Sequence, residues 1–275
     1  MRKLIIISLL FLFSCNKEEI VPNIQVTTLN EKQEVVGTPT VNVIDNDALG
    51  GIVFENVNKY NNKPYGSLVV TKSNGHPVFD GDRSTRFEVR DGDCGWNDGF
   101  SDCATDRSRS ELFETSNESI IGKTISYTER IYIPEQIRFR PKGDNLLVLT
   151  QVNYSDTLNA FGALTYLVME NNNTLLIRTH KNFTWDWNKN YTITTSPYNK
   201  WITIRYEIKT STENDGEINV FVDGNLLFTE TRPTLITKSG KVLMKFGIYN
   251  SFKSRATESF STQVVYFDGL EKKTF

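Results

Sequence analysis

Between residues 201 and 231 the chain alternates apolar and polar positions with little interruption. Trp201–Lys209 places Ile202, Ile204, Tyr206 and Ile208 on one side and Thr203, Arg205 and Glu207 on the other. Successive side chains of a β-strand point to opposite faces, so this spacing predicts a half-buried strand. Turns at Asp215-Gly216 and Asp223-Gly224 each open another alternating run, Glu217–Val222 and Asn225–Thr231. Asp-Gly between alternating runs is a hairpin signal. The same texture predicts strands over Ser67–Lys72, Thr85–Arg90, Ser110–Glu114, Thr124–Ile133, Asn145–Asn153, Leu164–Glu170, Thr174–Thr179, Val242–Tyr249 and Val264–Leu270. Turn signals at Asn74-Gly75, Asp91-Gly92, Asn171-Asn172-Asn173 and Ser239-Gly240 separate them. No long helix and no repeat period is visible. Many short strands with polar turns predict an all-β antiparallel sandwich or jelly roll, not a βαβ fold.

The first residues break this pattern. Arg2 and Lys3 precede an apolar run, Leu4 to Phe13, that is too short to span a bilayer. Residues 1–15 read as a signal peptide. Leu12-Phe13-Ser14-Cys15 resembles the lipobox of bacterial lipoproteins, which implies lipidation at Cys15. Asn16-Lys17-Glu18-Glu19 resembles the acidic export signal of surface lipoproteins in Bacteroidetes. Residues 16–45 are polar and aperiodic, a tether, and residues 46–275 are expected to form one domain. The expected location is the outer face of a bacterial outer membrane, with membrane contact through the lipid anchor alone.

Charge narrows the partners. The chain carries 31 Lys and Arg against 33 Asp and Glu, so no global basic field invites nucleic acid. Any anion site must be a local cleft. Residues 91–114 supply a candidate. Cys94 and Cys103 stand nine apart in a Gly- and Asp-rich loop. In an exported protein an even pair predicts a disulfide, free buried thiols being the alternative. In the strand that follows, Arg109, Glu111 and Phe113 share a face. Charges at those positions suit a polar groove for an acidic ligand. Asp91, Asp93, Asp98, Asp102 and Asp106 around the cysteines make a candidate structural calcium site, or simply solvated carboxylates. Zinc is not expected, because His76 and His180 lack ligand spacing to the cysteines.

Three segments occur in order: Arg-Ser-Glu-Leu at 109–112, Leu-Leu-Val-Leu-Thr-Gln-Val-Asn at 146–153, and Lys-Phe-Gly-Ile-Tyr-Asn at 245–250. Together they resemble the Arg-x-Glu-Leu, Gln-x-His and Lys-x-Gly-x-Tyr strands of jelly-roll polysaccharide lyases, the heparin lyase I, glucuronan lyase and alginate lyase kind. The resemblance implies a concanavalin-like sandwich that cleaves a uronate polymer by β-elimination. It implies no required cofactor. It makes Tyr249 the proton-transfer group, with Arg109 and Gln151 at the sugar carboxylate and Glu111 and Lys245 beside them. The expected substrates are ulvan, glucuronan, alginate or a glycosaminoglycan, acted on by a monomer.

One position departs from the family pattern. Asn153 stands where the family has histidine. An amide can donate to a carboxylate but cannot take a proton at neutral pH. Three outcomes remain open: Tyr249 serves as base and acid, another histidine substitutes, or the chain binds carbohydrate without cleaving it. His180, which shares a strand face with Arg178, and the turn residue His76 are the candidates for the groove. Trp96, Phe100, Trp185 and Trp187 are candidate sugar platforms. Glu213, Asp215 and Glu217 imitate a hydrolase acid pair but read as a solvated hairpin turn.

Overall fold

The computed structural model describes residues 54–56, 63–97, 100–114, 120–135, 146–155, 161–170, 173–181, 183, 186–252, 254 and 262–275. The expectations for residues 1–15, Cys15 and the tether lie outside the described residues, as do Asp98 and Trp185. The strands are β1 (Phe54–Asn56), β2 (Ser67–Thr71), β3 (Arg83–Val89), β4 (Trp96–Asn97), β5 (Phe100–Ser101), β6 (Arg107–Glu114), β7 (Thr124–Tyr132) and β8 (Leu146–Ser155). They continue as β9 (Phe161–Met169), β10 (Leu175–His180), β11 (Trp187–Thr194), β12 (Trp201–Lys209), β13 (Glu217–Val222), β14 (Asn225–Thr231), β15 (Lys241–Ser251) and β16 (Gln263–Thr274). The first seven-stranded sheet runs β1-β6-β15-β8-β9-β10-β11 and the second β14-β13-β12-β7-β16-β3-β2. Every pairing between these strands is antiparallel. This is the expected all-β jelly-roll sandwich.

The alternation seen in the sequence is the alternation of burial. Ile202, Ile204, Tyr206 and Ile208 of β12 are buried, and the residues between them are not. Asp223 and Gly224 both take positive φ, 48° and 82°, which gives the β13–β14 hairpin the twist its strands need. Phe87 of β3, Phe246 of β15 and Phe267 of β16 pack edge to face across the two sheets, with centroids 5.2–5.6 Å apart. Polar groups also bridge the sheets. Glu129 on β7 accepts from Thr150 on β8 at 2.8 Å and from Tyr206 on β12 at 3.0 Å. Glu230 on β14 accepts from Thr179 on β10 at 2.8 Å.

Three differences from the sequence reading have simple causes. β11 was not anticipated, because its asparagines and lysine look like loop. It lies at a sheet edge, where Asn188, Lys189 and Asn190 are exposed and polarity costs little. β6 begins at Arg107, not Ser110, because its ladder with β15 extends to Ser251. The β4–β5 ladder lies inside the cysteine loop.

Candidate active site

Strands β6, β15 and β8 lie side by side in the first sheet. In register, Arg109 faces Tyr249, Glu111 faces Gly247 and Phe113 faces Lys245. On the other flank Lys245 faces Gln151 and Leu243 faces Asn153. Leu112, Met244, Phe246, Ile248 and Val152 fill the core. Their alternates Arg109, Glu111, Lys245, Gly247, Tyr249, Gln151 and Asn153 therefore share the face turned away from the second sheet. Gly247 has φ +140°, and a Cβ there would meet the Ser110 carbonyl oxygen at 2.2 Å. Only glycine allows β15 to lie this close to β6 at that point.

Glu111 is fully buried at the centre of this face. Its Oε1 accepts from Gln151 Nε2 at 2.6 Å, and its Oε2 lies 3.5 Å from Arg109 Nη1. A carboxylate only accepts, so this contact fixes which end of the Gln151 amide is nitrogen. Glu111 is thereby committed beneath the surface, between Gln151 and Arg109. Burial lowers the pKa of Lys245. Glu111 opposes that shift and Arg109 adds to it.

Arg109 donates Nε and Nη2 to the Asp102 carboxylate at 2.6–3.0 Å. The paired hydrogen bonds expected to grip a sugar carboxylate go instead to a buried aspartate. Burial opposes the guanidinium charge, but Glu111 and Asp102 outweigh it and hold the group above its ordinary range. Its Cζ sits 4.6 Å from the Tyr249 ring centroid, a fixed cation beside the phenol.

Asp102 belongs to the cysteine loop. Cys94 and Cys103 are bonded, with Cα atoms 5.2 Å apart. The Asp102 amide donates to Gly95 at 2.9 Å, and its carbonyl accepts from the Arg107 amide at 2.6 Å. Two of the loop's other carboxylates also have protein partners. Asp93 accepts from Tyr65 and from the Arg90 amide, and Asp106 from the Ser254 amide and hydroxyl. Among the described residues no group of His, Cys, Asp and Glu is placed to hold a metal ion, so calcium gains no support.

Tyr249 packs on a small apolar floor of Val148, Ala163, Tyr166, Val168 and Leu176. Arg107 Nε donates to its phenol oxygen at 3.1 Å. Burial pushes the Tyr166 phenol up, and Tyr249 and Glu111 push it further, so Tyr166 stays protonated.

Residues 58–271 match the family model described as polysaccharide lyase. The chain belongs to the polysaccharide lyase family. No curated protein matches the lyase in sequence. Among solved structures it is similar to the endo-β-1,4-glucuronan lyase of the fungus Trichoderma reesei, at 18% identity and TM-score 0.55, over 80% of this chain and 93% of that one. It is also similar to alginate lyase AlyC3, at 14% identity and TM-score 0.51, over 84% and 97% of the two chains. A family 7 alginate lyase, A1-II′, gives 13% identity and TM-score 0.52 over 78% and 84%. At these identities the structural likeness establishes the jelly-roll fold that the lyase shares with them.

The lyase's two histidines lie in different places. His180 is on the site face of β10, 2% exposed, its ring edge-on to Tyr166 at 4.8 Å. Arg178, on the same face, donates to Asn190 and Glu170 at 2.9 and 2.7 Å, near the sheet edge. His76 does not line this groove. Its Nδ1 lies 3.2 Å from the Tyr266 hydroxyl, on the face of the second sheet that points away from the first. Val265 and Phe267 point into the core, so Tyr266 between them points out and carries His76 with it. Asn153 is fully buried, and among the described residues neither its amide oxygen nor its nitrogen has a hydrogen-bond partner. The side chains of Trp96, Phe100 and Trp187 fall outside the described residues.

Sequence reasoning missed Arg107 and Tyr166, and read Asp102 only as a loop carboxylate. Arg107 carries the parity of Arg109 and Glu111 and becomes visible once the strand is drawn one pair longer. Asp102 had no local signal, because its partner lies on the strand after the turn.

Proposed function

We propose that this lyase cleaves a uronate-containing acidic polysaccharide by β-elimination, with Tyr249 moving the proton. A base takes the proton from C5, the C4–O4 bond breaks, a C4=C5 double bond forms, and O4 leaves with a proton. Negative charge develops on the C5 carboxylate as C5–H breaks, and nearby fixed cations and amide donors lower that barrier. The observation that carries this reading is one sheet face bearing the Tyr249 phenol together with Arg107, Arg109, Lys245 and Gln151. Tyr249 as phenolate takes the C5 proton and as phenol returns it to O4, which accommodates asparagine at 153. The similarity to a glucuronan lyase and to alginate lyases supports a uronate polymer. The signal and lipobox pattern at residues 1–15 supports a lipid anchor at Cys15 and a place on the outer-membrane surface.

The test is incubation with glucuronan, alginate, ulvan and glycosaminoglycans while following ultraviolet absorbance. Elimination conjugates the new double bond with the carboxylate, so absorbance rises with chain cleavage on at least one polymer. New reducing ends without that absorbance would mean hydrolysis, and binding without cleavage would mean a lectin-like role. Either result overturns the proposal.

A further inference from the structure

Arg107 lies outside the Arg-Ser-Glu-Leu segment, yet it is the residue whose N–H reaches the reactive oxygen. It opens β6 and shares the site face with Arg109 and Glu111. Two contacts fix its guanidinium and a third its backbone. Nη1 donates to the Thr105 carbonyl, Cζ lies 4.5 Å over the Phe252 ring, and the backbone amide holds Asp102 at 2.6 Å. Nε is then aimed at the Tyr249 hydroxyl at 3.1 Å. An arginine N–H only donates, so the phenol oxygen must accept, and the phenol's own proton is directed elsewhere. When that proton leaves, the contact becomes a hydrogen bond between opposite charges, guanidinium to phenolate, and strengthens.

We propose that Arg107 is a positioning residue that equips Tyr249 to serve as the base in a site where position 153 holds no histidine. The proposal rests on Tyr249 as the proton-transfer group. Arg109 does a different job: it gives Nε and Nη2 to Asp102 and faces the phenol ring, not the oxygen. Among the described residues the other charged or titratable groups around Tyr249 are Glu111 on β6, Lys245 on its own strand and Tyr166 on β9. His180 and Arg178 stand on β10, on the far side of Tyr166. Of these, Arg107 is the cation seen hydrogen-bonded to the phenol oxygen itself.

The test compares wild type, Arg107→Met and Arg107→Lys through the pH dependence of kcat. A base works only when deprotonated, so removing the cation moves the acidic limb to higher pH, by about one unit. At neutral pH kcat falls about ten-fold, KM changes little, and Arg107→Lys lies between. A second measurement needs no substrate. The tyrosinate absorbance of each protein is titrated against the same protein carrying Tyr249→Phe, so that the difference reports one phenol. That difference titration moves upward by the same amount in Arg107→Met. An unmoved profile and an unmoved titration in both Arg107 variants overturn the proposal. If the wild type makes no unsaturated product, the elimination reading fails by itself and the titration still decides the role of Arg107.

Discussion

Strands β10 and β12 have contrasting outer faces. In β12 the residues pointing away from the core, Trp201, Thr203, Arg205, Glu207 and Lys209, are all half-buried, and burial alternates along the strand. In β10 all residues are buried, including the outward-facing Leu176, Arg178 and His180. The outer side of β12 is wet and that of β10 is dry. On the sheet of β10 charges are held by designated partners, Arg109 by Asp102 and Glu111 under Gln151. Low local dielectric strengthens such interactions and penalises any that are unpaired. The same chemical groups are thus anchored in the site of the first sheet and loosely solvated along β12.

The largest expected effect tests the site of the first sheet. Tyr249→Phe removes one hydroxyl and should lower kcat by on the order of a thousand-fold, with substrate binding and thermal stability close to wild type. Activity within ten-fold of wild type would remove the phenol from the mechanism.

A smaller effect comes from the dry space between the sheets. Burial pushes Glu129 up to about 8 from an ordinary value of 4.5, and hydrogen bonds from Thr150 and Tyr206 offset only part of the shift. A carboxyl raised on folding binds its proton more tightly in the native state. Its contribution is therefore complete below the ordinary value and is lost as pH rises toward 8. Wild type should lose up to about 1.4 kcal/mol of unfolding free energy per pH unit in that window from this group. Glu129→Gln, which mimics the protonated acid, should flatten that part of the slope in denaturant titrations at pH values spanning the window. Equal slopes in the two proteins would show that Glu129 is ionised in the fold.

The wet face supplies the smallest effect. Arg205 and Glu207 form an ion pair with side chains 37% and 24% exposed. Glu207→Ala should change unfolding free energy by less than about 0.5 kcal/mol, because solvent screens such pairs. A loss several times larger would erase the contrast between the sheets.

Alternation made most strands readable, because a strand covered on one side writes its burial into every second residue. β11 escaped because an edge tolerates polar residues on both faces. The same parity placed Arg109 with Glu111, and Lys245 with Gly247 and Tyr249, on shared faces. It does not state which strand lies beside which, or which sheet a turn folds onto. That is why His76 went to the wrong sheet, and why Asp102 was read with the loop carboxylates when it is the partner of Arg109. The outward half of β10 was unreadable for a related reason. Arg178 and His180 look solvent-facing in sequence and are buried by neighbours from β9 and β11.

The hydrogen bond between Arg107 and Tyr249 joins residues 142 positions apart. Every strand pairing that frames the site is comparably remote, except that of β8 with β9 and β9 with β10. High contact order of this kind makes folding slow and concentrates the entropic cost at the final closure. No excised fragment, N-terminal or C-terminal, can preassemble the reactive constellation. Competence to react and completion of the tertiary fold arrive in the same step.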